Sequence, residues 1–327
     1  MKVGIEPNGA ILVGEYFTID GHWKRNYRIV THFHSDHTLQ LQKSVLECVG
    51  IIATPPTMEV LETLGYKVPQ NKKINLNYRI PIQVQEEELT LYPSDHVFGS
   101  AQVEISMPSG TVAYTGDFKN PEKKTPILHP DILVIESTYG KPEFVRPFKG
   151  EVEQLMADYV NDAVTHMPVR IYGYHGKLQE AMRVLRERGV IAPFIVNGKI
   201  RDITKIAISY GLEIQDVFTT EEARDQGILK DGWYIEFMHF NQFKNRSPDH
   251  TNFILSGWEF NEALKRIDKY SFSIAFSDHA DFEDLIYYVD SSKAKKIIAE
   301  GGRRGHSREL ATYIRKRLGR DAISLPS

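Results

Sequence analysis

The sequence predicts an α/β protein in which a strand-rich domain is interrupted by a second α/β block. Three observations carry this. Strand-like runs in the first part end repeatedly in histidine or aspartate. Near residue 147 the pattern changes to amphipathic helices alternating with short apolar strands, the rhythm of crossover helices between parallel strands. After Asn252 strands return, and one of them is again followed by a His/Asp motif.

The elements follow in order. Residues 10–20 read as a hairpin with Asp20 at a strand end, and the run Tyr27-Arg28-Ile29-Val30 as a strand. That strand leads into Thr31-His32-Phe33-His34-Ser35-Asp36-His37, with a helix expected from Ser35 or Asp36. Residues 57–64 look helical, while 89–93, 111–115 and 131–136 look like strands. Helices are expected over 150–166 and 177–189, alternating with strands at 169–173 and 193–196. Strands at 253–255 and 272–276, a helix over 281–289, a strand at 296–299 and a helix over 307–318 complete the reading. The domain boundaries expected from this are 1–147 with 252–327 for the first domain, and 148–251 for the insertion.

Composition sets wide bounds. The chain has 327 residues, 41% of them hydrophobic, enough for a large core. No run of eighteen apolar residues suggests a membrane span, and the first residues lack a signal-peptide apolar core. Cys48 stands alone, so no intrachain disulfide can form and a cytoplasmic location is expected. The net charge of −3 argues neither for nor against a nucleic-acid partner.

The segment from His32 to His37 carries the chemistry. Imidazole nitrogen and carboxylate oxygen are the usual ligands of zinc and manganese at hydrolytic sites. His32 and His34 share one side of an extended strand end, because side chains alternate with period two. Asp36 and His37, at the turn that follows, can aim at a second point. One segment thus offers two ligands to each of two adjacent divalent metals, an arrangement suited to hydrolysing a phosphodiester or an ester. His96, in Ser94-Asp95-His96-Val97-Phe98-Gly99-Ser100-Ala101, and Asp117, in Thr115-Gly116-Asp117, also follow strands. Ligand-type residues at successive strand ends converge on one rim of a sheet.

HxHxDH, a later histidine and Thr-Gly-Asp together resemble the metallo-β-lactamase superfamily. That resemblance implies an αββα sandwich with a dinuclear site at one sheet edge. It implies that His32, His34 and His96 hold one metal, that Asp36 and His37 hold the other, and that Asp117 bridges. Asp20 matches the first motif of the superfamily, an acid that orients the ligand loop. Glu136-Ser137-Thr138-Tyr139-Gly140 and Phe276-Ser277-Asp278-His279-Ala280-Asp281 resemble motifs of the β-CASP nuclease branch, and the middle block resembles its inserted cap. Within that branch the chain looks most like DNA-ligase-associated exonucleases and archaeal messenger-RNA 3′-end processing factors. The branch normally completes its second metal with a His-Gly pair after a late strand. By spacing from His279 that histidine falls here on Gly301. His306, in His306-Ser307-Arg308-Glu309, is the favoured replacement and Glu300 its rival; the third reading is that neither binds metal, which leaves the second site weaker.

The implied activity is a metal-dependent nuclease acting on single-stranded DNA or RNA, as an exonuclease. A bridging hydroxide would attack phosphorus, with Asp36 serving as ligand and catalytic residue. His279 would protonate the leaving oxygen or bind the scissile phosphate, and Glu136 would orient it. Zinc is the expected ion and manganese the alternative. Backbone contacts are expected from Ser137, Thr138, Lys177, Arg201, Ser256, Arg303 and Arg304, with Trp258 or Tyr139 stacking a base. A DNA ligase or repair and processing machinery is a candidate partner. Two other classes fit the same motifs: a small ester or thioester hydrolase, and a catalytically weakened nucleic-acid-binding subunit.

Overall fold

The structure, a computed structural model, describes residues 3–326. It contains two compact units: residues up to Val145 with those from His279 on, and Arg146–Asp278.

The first unit opens with a six-stranded sheet in sequential order. Its strands are β1 (Val3–Ile5), β2 (Ile11–Val13), β3 (Phe17–Ile19), β4 (Tyr27–Ile29), β5 (Gly50–Ala53) and β6 (Lys73–Asn75). The β2–β3 pair is the expected antiparallel hairpin, and β3 to β6 pair in parallel. Helices α1 (Leu41–Glu47) and α2 (Pro55–Leu64) lie in the connections. The expected helix at Ser35 or Asp36 does not form; residues 35–37 are a turn and α1 starts at Leu41. The cause is Arg28, whose buried guanidinium donates to the carbonyls of His37 and Leu39 and holds that stretch as a loop.

The chain next builds β7 (Ile82–Val84), β8 (Glu87–Pro93), β9 (Ala101–Met107), β10 (Gly110–Tyr114) and β11 (Ile132–Ile135). It then enters the second unit. There a mostly parallel sheet comprises β12 (Val169–Gly173), β13 (Phe194–Ile195), β14 (Val217–Phe218), β15 (Ile235–His239), β16 (Thr251–Leu255), β17 (Leu264–Asp268) and β18 (Ser271–Ile274). Helices α3 (Val152–His166), α4 (Lys177–Glu187), α5 (Gly198–Ser209), α6 (Thr220–Asp225) and α7 (Ile228–Asp231) connect its strands. Val160, Leu178, Phe194, Phe237 and Phe253 share its core.

The boundary expected at 251/252 is corrected to 278/279. The segment after Asn252 belongs to the second unit, because β16 pairs with β12 and β18 with β16. All five residues of β16 are buried, as in a strand covered on both faces.

The return to the first unit adds α8 (Phe282–Ser292), β19 (Lys296–Glu300), α9 (Ser307–Tyr313) and β20 (Asp321–Leu325). The last helix is shorter than expected, giving way to a π-type turn over Ile314–Leu318. Strands β19 and β20 complete a seven-stranded sheet in the order β20-β19-β11-β10-β9-β8-β7. Side-chain alternation makes this sheet two-faced. Val112, Tyr114, Val134 and Ile298 pack with Ile11, Phe17 and Ile29 of the first sheet. Ala113, Leu133, Ile135 and Ile297 face Leu285 and Val289 of α8 and Leu310 of α9. Sheet lies on sheet, with α8 and α9 covering the second: an αββα sandwich.

Candidate metal centre

Each candidate donor sits just beyond a strand of the sandwich or at the entry to a helix. His32 and His34 follow β4, His96 follows β8, Asp117 follows β10, Glu136 follows β11, and His279 precedes α8. Backbone geometry fixes two of these loops. Gly116 has φ +56°, and a Cβ there would lie 2.8 Å from the Ala101 carbonyl oxygen. Gly99 has φ +83°, and a Cβ there would lie 3.0 Å from the Thr57 backbone nitrogen. The Gly99 carbonyl accepts from the hydroxyls of Thr54 and Thr57, at 2.6 and 2.9 Å, tying the His96 loop to the start of α2. Ser94 Oγ donates to the Asp117 carbonyl at 2.6 Å, joining the His96 and Asp117 loops.

The structure brings His32, His34, His37, His96, Asp117, Glu136 and His279 together. Donor atoms of His32, His34 and His96 lie within 4.8 Å of one another, as do those of His32, His37 and Asp117, and those of Asp117, Glu136 and His279. Asp117 Oδ2 is the hub: it is 3.2 Å from His37 Nε2, 3.7 Å from His32 Nε2, 3.8 Å from His96 Nε2 and 3.9 Å from His279 Nδ1. Asp36 stands at the edge, exposed, with Oδ2 3.6 Å from His37 Nε2. Asp20 supports the loop. One of its oxygens accepts from the Thr31 backbone at 2.8 Å, and the other meets the Thr31 hydroxyl at 2.5 Å and His37 Nδ1 at 2.8 Å.

These residues fit a divalent ion. The Nε2 atoms of His32 and His37 are buried and lack a well-directed hydrogen-bond partner. His34 Nδ1 and His96 Nε2 face each other at 3.1 Å. Converging imidazole nitrogens beside a carboxylate are what zinc-type ions require. Electrostatics agree for the first donors: burial, then the neighbouring His37 and His96, hold His32 well below the usual imidazole range. It is therefore neutral, as a ligand must be. Burial opposes ionisation of Asp117, but His37 and His279 outweigh it and hold the carboxyl well below its usual range. Burial also opposes charge on His37, yet Asp117, Asp36 and Asp20 push it up to about 10 against Arg303. An ion at His37 must displace that proton.

Beside the donors, His279 Nδ1 lies 3.1 Å from Glu136 Oε2, and Glu136 Oε1 accepts from the Phe118 backbone at 2.9 Å. Burial raises the Glu136 carboxyl, with His279 opposing and Asp117 adding to the rise.

Several expected residues stand elsewhere. His306 is not gathered into any donor group among the described residues; its ring packs on Phe144 and its Nδ1 is 3.7 Å from Glu309. Its backbone explains this, since His306 N donates to Ser137 O at the entry to α9. Glu300, its rival, is buried and accepts from Gly302 N at 2.6 Å, beside Arg303. Arg303 itself is not an exposed phosphate contact: its side chain is 5% exposed and bound to main-chain carbonyls. Ser137 is buried with its hydroxyl donated to Glu300 O, and Tyr139 is buried beside His279 rather than open to a base. Thr138 is half-buried and Arg304 exposed.

In the second unit, Lys177 begins α4 and pairs with Asp278 at 3.0 Å, both side chains buried. Ser256 Oγ accepts from Trp258 N, Trp258 is exposed, and Arg201 pairs with Asp202. Nothing local in the sequence marks Thr31 or Arg303 as a support of the donor loop, and Arg28 is marked only by its charge. A charged residue inside the strand-like run at Arg28 was the available signal.

The sandwich, its rim of histidines and aspartates and the inserted α/β unit define a class: metallo-hydrolases of the metallo-β-lactamase fold. Comparison with known proteins narrows it. Residues 271–326 match the family described as "Zn-dependent metallo-hydrolase RNA specificity domain". An uncharacterized protein in the lig 3′ region of Acidianus ambivalens is 54% identical over 140 residues, 42% of this chain and all of that one. A probable DNA ligase of Opitutus terrae is 26% identical over 91% of this chain, which spans 29% of that protein. RNase aCSPSF2 of Saccharolobus solfataricus is 24% identical, covering 90% of this chain and 73% of the relative. A crystal structure of a protein of unknown function from Enterococcus faecalis V583 has the same fold, with a TM-score of 0.63 at 14% identity over 92% of this chain and 79% of that one. The chain belongs to the β-CASP branch of the metallo-β-lactamase superfamily.

Proposed function

We propose that this metal-dependent nuclease hydrolyses phosphodiester bonds of single-stranded nucleic acid, working as an exonuclease. The observation that carries the reading is the contact of Asp117 with two sets of residues. It faces the histidine donors on one side and the His279–Glu136 pair on the other. A donor set for divalent ions thus adjoins an imidazole held by a carboxylate.

His32, His34 and His96 would hold one ion, and His37, Asp36 and Asp117 a second, with zinc favoured by the imidazole-rich set and manganese the alternative. Bound divalent ions supply a water-derived nucleophile at neutral pH and neutralise charge on phosphate oxygens. The protein's own residues do the rest. Glu136 accepts from His279 Nδ1, which leaves Nε2 as the atom that gives a proton to the leaving oxygen. Asp36 would both bind and orient at the exposed edge of the site. Arg146–Asp278 would be the β-CASP domain, with Lys177, Ser256 and Trp258 meeting the strand.

RNA is favoured by the family description and by the relative named RNase aCSPSF2; DNA is favoured by the relatives named for a ligase or its gene region. A ligase as partner is supported by the relatives' names alone; a repair role and a cytoplasmic location extend that reading, the latter from the single cysteine. Among the described residues no helix is long and apolar enough to cross a membrane.

End-labelled single-stranded RNA and DNA, with 5′-phosphate or 5′-hydroxyl ends, incubated with zinc and then manganese, test the proposal. Progressive shortening from one end supports it. Turnover of ester or thioester substrates with both oligonucleotides intact would sink it, and less than one equivalent of metal bound, with no cleavage under any metal, would point to a binding subunit.

A further inference from the structure

The second unit carries an aromatic cluster of its own. Strands β12 and β15 are neighbours and pair in parallel, with Gly173 opposite His239 at their C-terminal ends. The next residues, Tyr174 and Phe240, leave the sheet side by side. Neighbouring strands lie about 4.8 Å apart, and the two rings keep that spacing. Their centroids are 4.7 Å apart and their planes differ by 13°. The His239 ring meets Tyr174 edge to face at 5.7 Å, and the His175 ring lies 5.0 Å from that of His239.

Both connections are held by hydrogen bonds. Tyr174 O accepts from Leu178 N at 3.1 Å. Gly176, at φ +87°, turns the chain into α4 and donates its N–H to Gln179 Oε1 at 2.7 Å. On the other strand, His239 N donates to Gln242 Oε1 at 3.1 Å, and His239 Nδ1 accepts from Asn241 N at 3.3 Å. That second bond selects a tautomer. With Nδ1 an acceptor, the proton of the neutral ring sits on Nε2, which is a donor. Burial lowers the His239 pKa, in keeping with a neutral ring.

Despite this packing, Tyr174 is 45% exposed, whereas Phe194, Phe237 and Phe253 in the core of the unit are buried. The loop after β16, on the other side of β12, carries the exposed Trp258. Aromatic rings therefore follow three adjacent strands at the carboxyl edge of a parallel sheet, the edge where ligands of such sheets bind. Lys244 stands exposed on the same turn as Phe240.

We propose that Tyr174, stacked on Phe240 and flanked by His239, is a platform on which one base of a single-stranded nucleic acid stacks, with His239 Nε2 donating to the edge of that base. Two nearly coplanar rings extend naturally by one more plane, and every base has a flat face and an acceptor on its edge. A duplex hides those faces in its own stack. The inference rests on the nuclease reading given above, since the strand is the substrate in that reading, and the experiment separates the two.

The full chain, loaded with zinc and carrying His279→Ala to slow cleavage, is titrated with a fluorescein-labelled oligothymidylate and with the same backbone lacking its bases. Fluorescence anisotropy reads the affinity. Adding Tyr174→Ala should weaken binding of the oligothymidylate by about 5–100-fold, and adding Tyr174→Phe by less than about twofold. Neither should change binding of the abasic strand, and the salt dependence should stay the same because no phosphate contact is lost. A folded Tyr174→Ala protein that binds oligothymidylate within about twofold of its parent, or that loses as much on the abasic strand, would overturn the platform. Should Tyr174→Ala fail to fold, ultraviolet crosslinking of the parent to a bromouridine-substituted strand decides. Adducts on the peptides of Tyr174 or Phe240 uphold the platform, and adducts only elsewhere overturn it. Cleavage by wild type tests the nuclease reading separately; no cleavage and no binding of any strand would strike both.

Discussion

His279 and Glu136 come from segments 143 residues apart and meet at 3.1 Å. Neither belongs to the two histidine-rich donor groups that hold His32, so their loss should separate chemistry from metal content. His279→Ala is expected to lower cleavage by about 10²–10⁴-fold with metal content unchanged, read by single-turnover assay and elemental analysis. Asp20 is the opposite case. Its carboxylate takes three hydrogen-bond contacts, from the Thr31 backbone and hydroxyl and from His37. Asp20→Ala should lower stability by about 3 kcal/mol in denaturant titrations and lower metal retention as well, because the donor loop loses its anchor. At this scale the consecutive donors His32 to His37 were legible, since residue type and period-two spacing are local properties. The place of His306 was not. Its resemblance to a family motif lay in its neighbours Ser307, Arg308 and Glu309, whereas its position depends on the hydrogen bond from its backbone to Ser137.

Each loop inherits its shape from the element that it leaves. The His96 loop is held at Gly99 by two threonines at the start of α2, where Thr54 is the N-cap and its Oγ1 also accepts from Thr57 N. Thr54→Ala should destabilise by about 1 kcal/mol in thermal or chemical unfolding, with the metal count preserved because Thr57 still holds Gly99. Strands and helices with clear periodicity were readable, among them β12, α3 and the β2–β3 hairpin. The turn at residues 35–37 was not, because it depends on Arg28 reaching carbonyls nine and eleven residues away. The end of the inserted unit was misplaced for a similar reason. Residues 252–278 look like any apolar strands, and only pairing of β16 with β12 assigns them to the second sheet.

The whole molecule carries a pH signature in its metal-free form. Burial is the leading cause that lowers His22, His32, His239 and His250. Unfolding lets each take up a proton near its ordinary value of about 6.5, so their stabilisation is full above that pH and is lost as pH falls through it. His37 runs the other way. Raised to about 10, it contributes stability that is full below its unfolded value and lost as pH rises toward 10. Chelator-stripped protein should therefore melt highest near neutral pH and lower on both sides, a profile that thermal scans from pH 5 to 9 would check. A monotonic rise to pH 9 would contradict the sign assigned to His37. Added zinc at about a hundred times its dissociation constant should stabilise by about 2.7 kcal/mol, raising the melting temperature.

The sequence by itself determined the candidate chemistry: the candidate donors His32, His34, Asp36, His37, His96 and Asp117, the strands that end beside most of them and, through the resemblance to nuclease motifs, the acid and histidine of Glu136 and His279. These are local facts, because ligand character belongs to the side chain and alternation to the backbone. Tertiary structure decided which groups are spent on support. It buried Tyr139 and Ser137, turned His306 to Phe144, and set Arg303 under the loop of Asp36 and His37. The physical reason is that a buried charge or hydroxyl must find partners, and those partners lie far along the chain. The C-terminal partner of Asp36 and His37, which the sequence leaves to His306, Glu300 or neither, is not supplied by His306 in the fold, where that ring packs on Phe144.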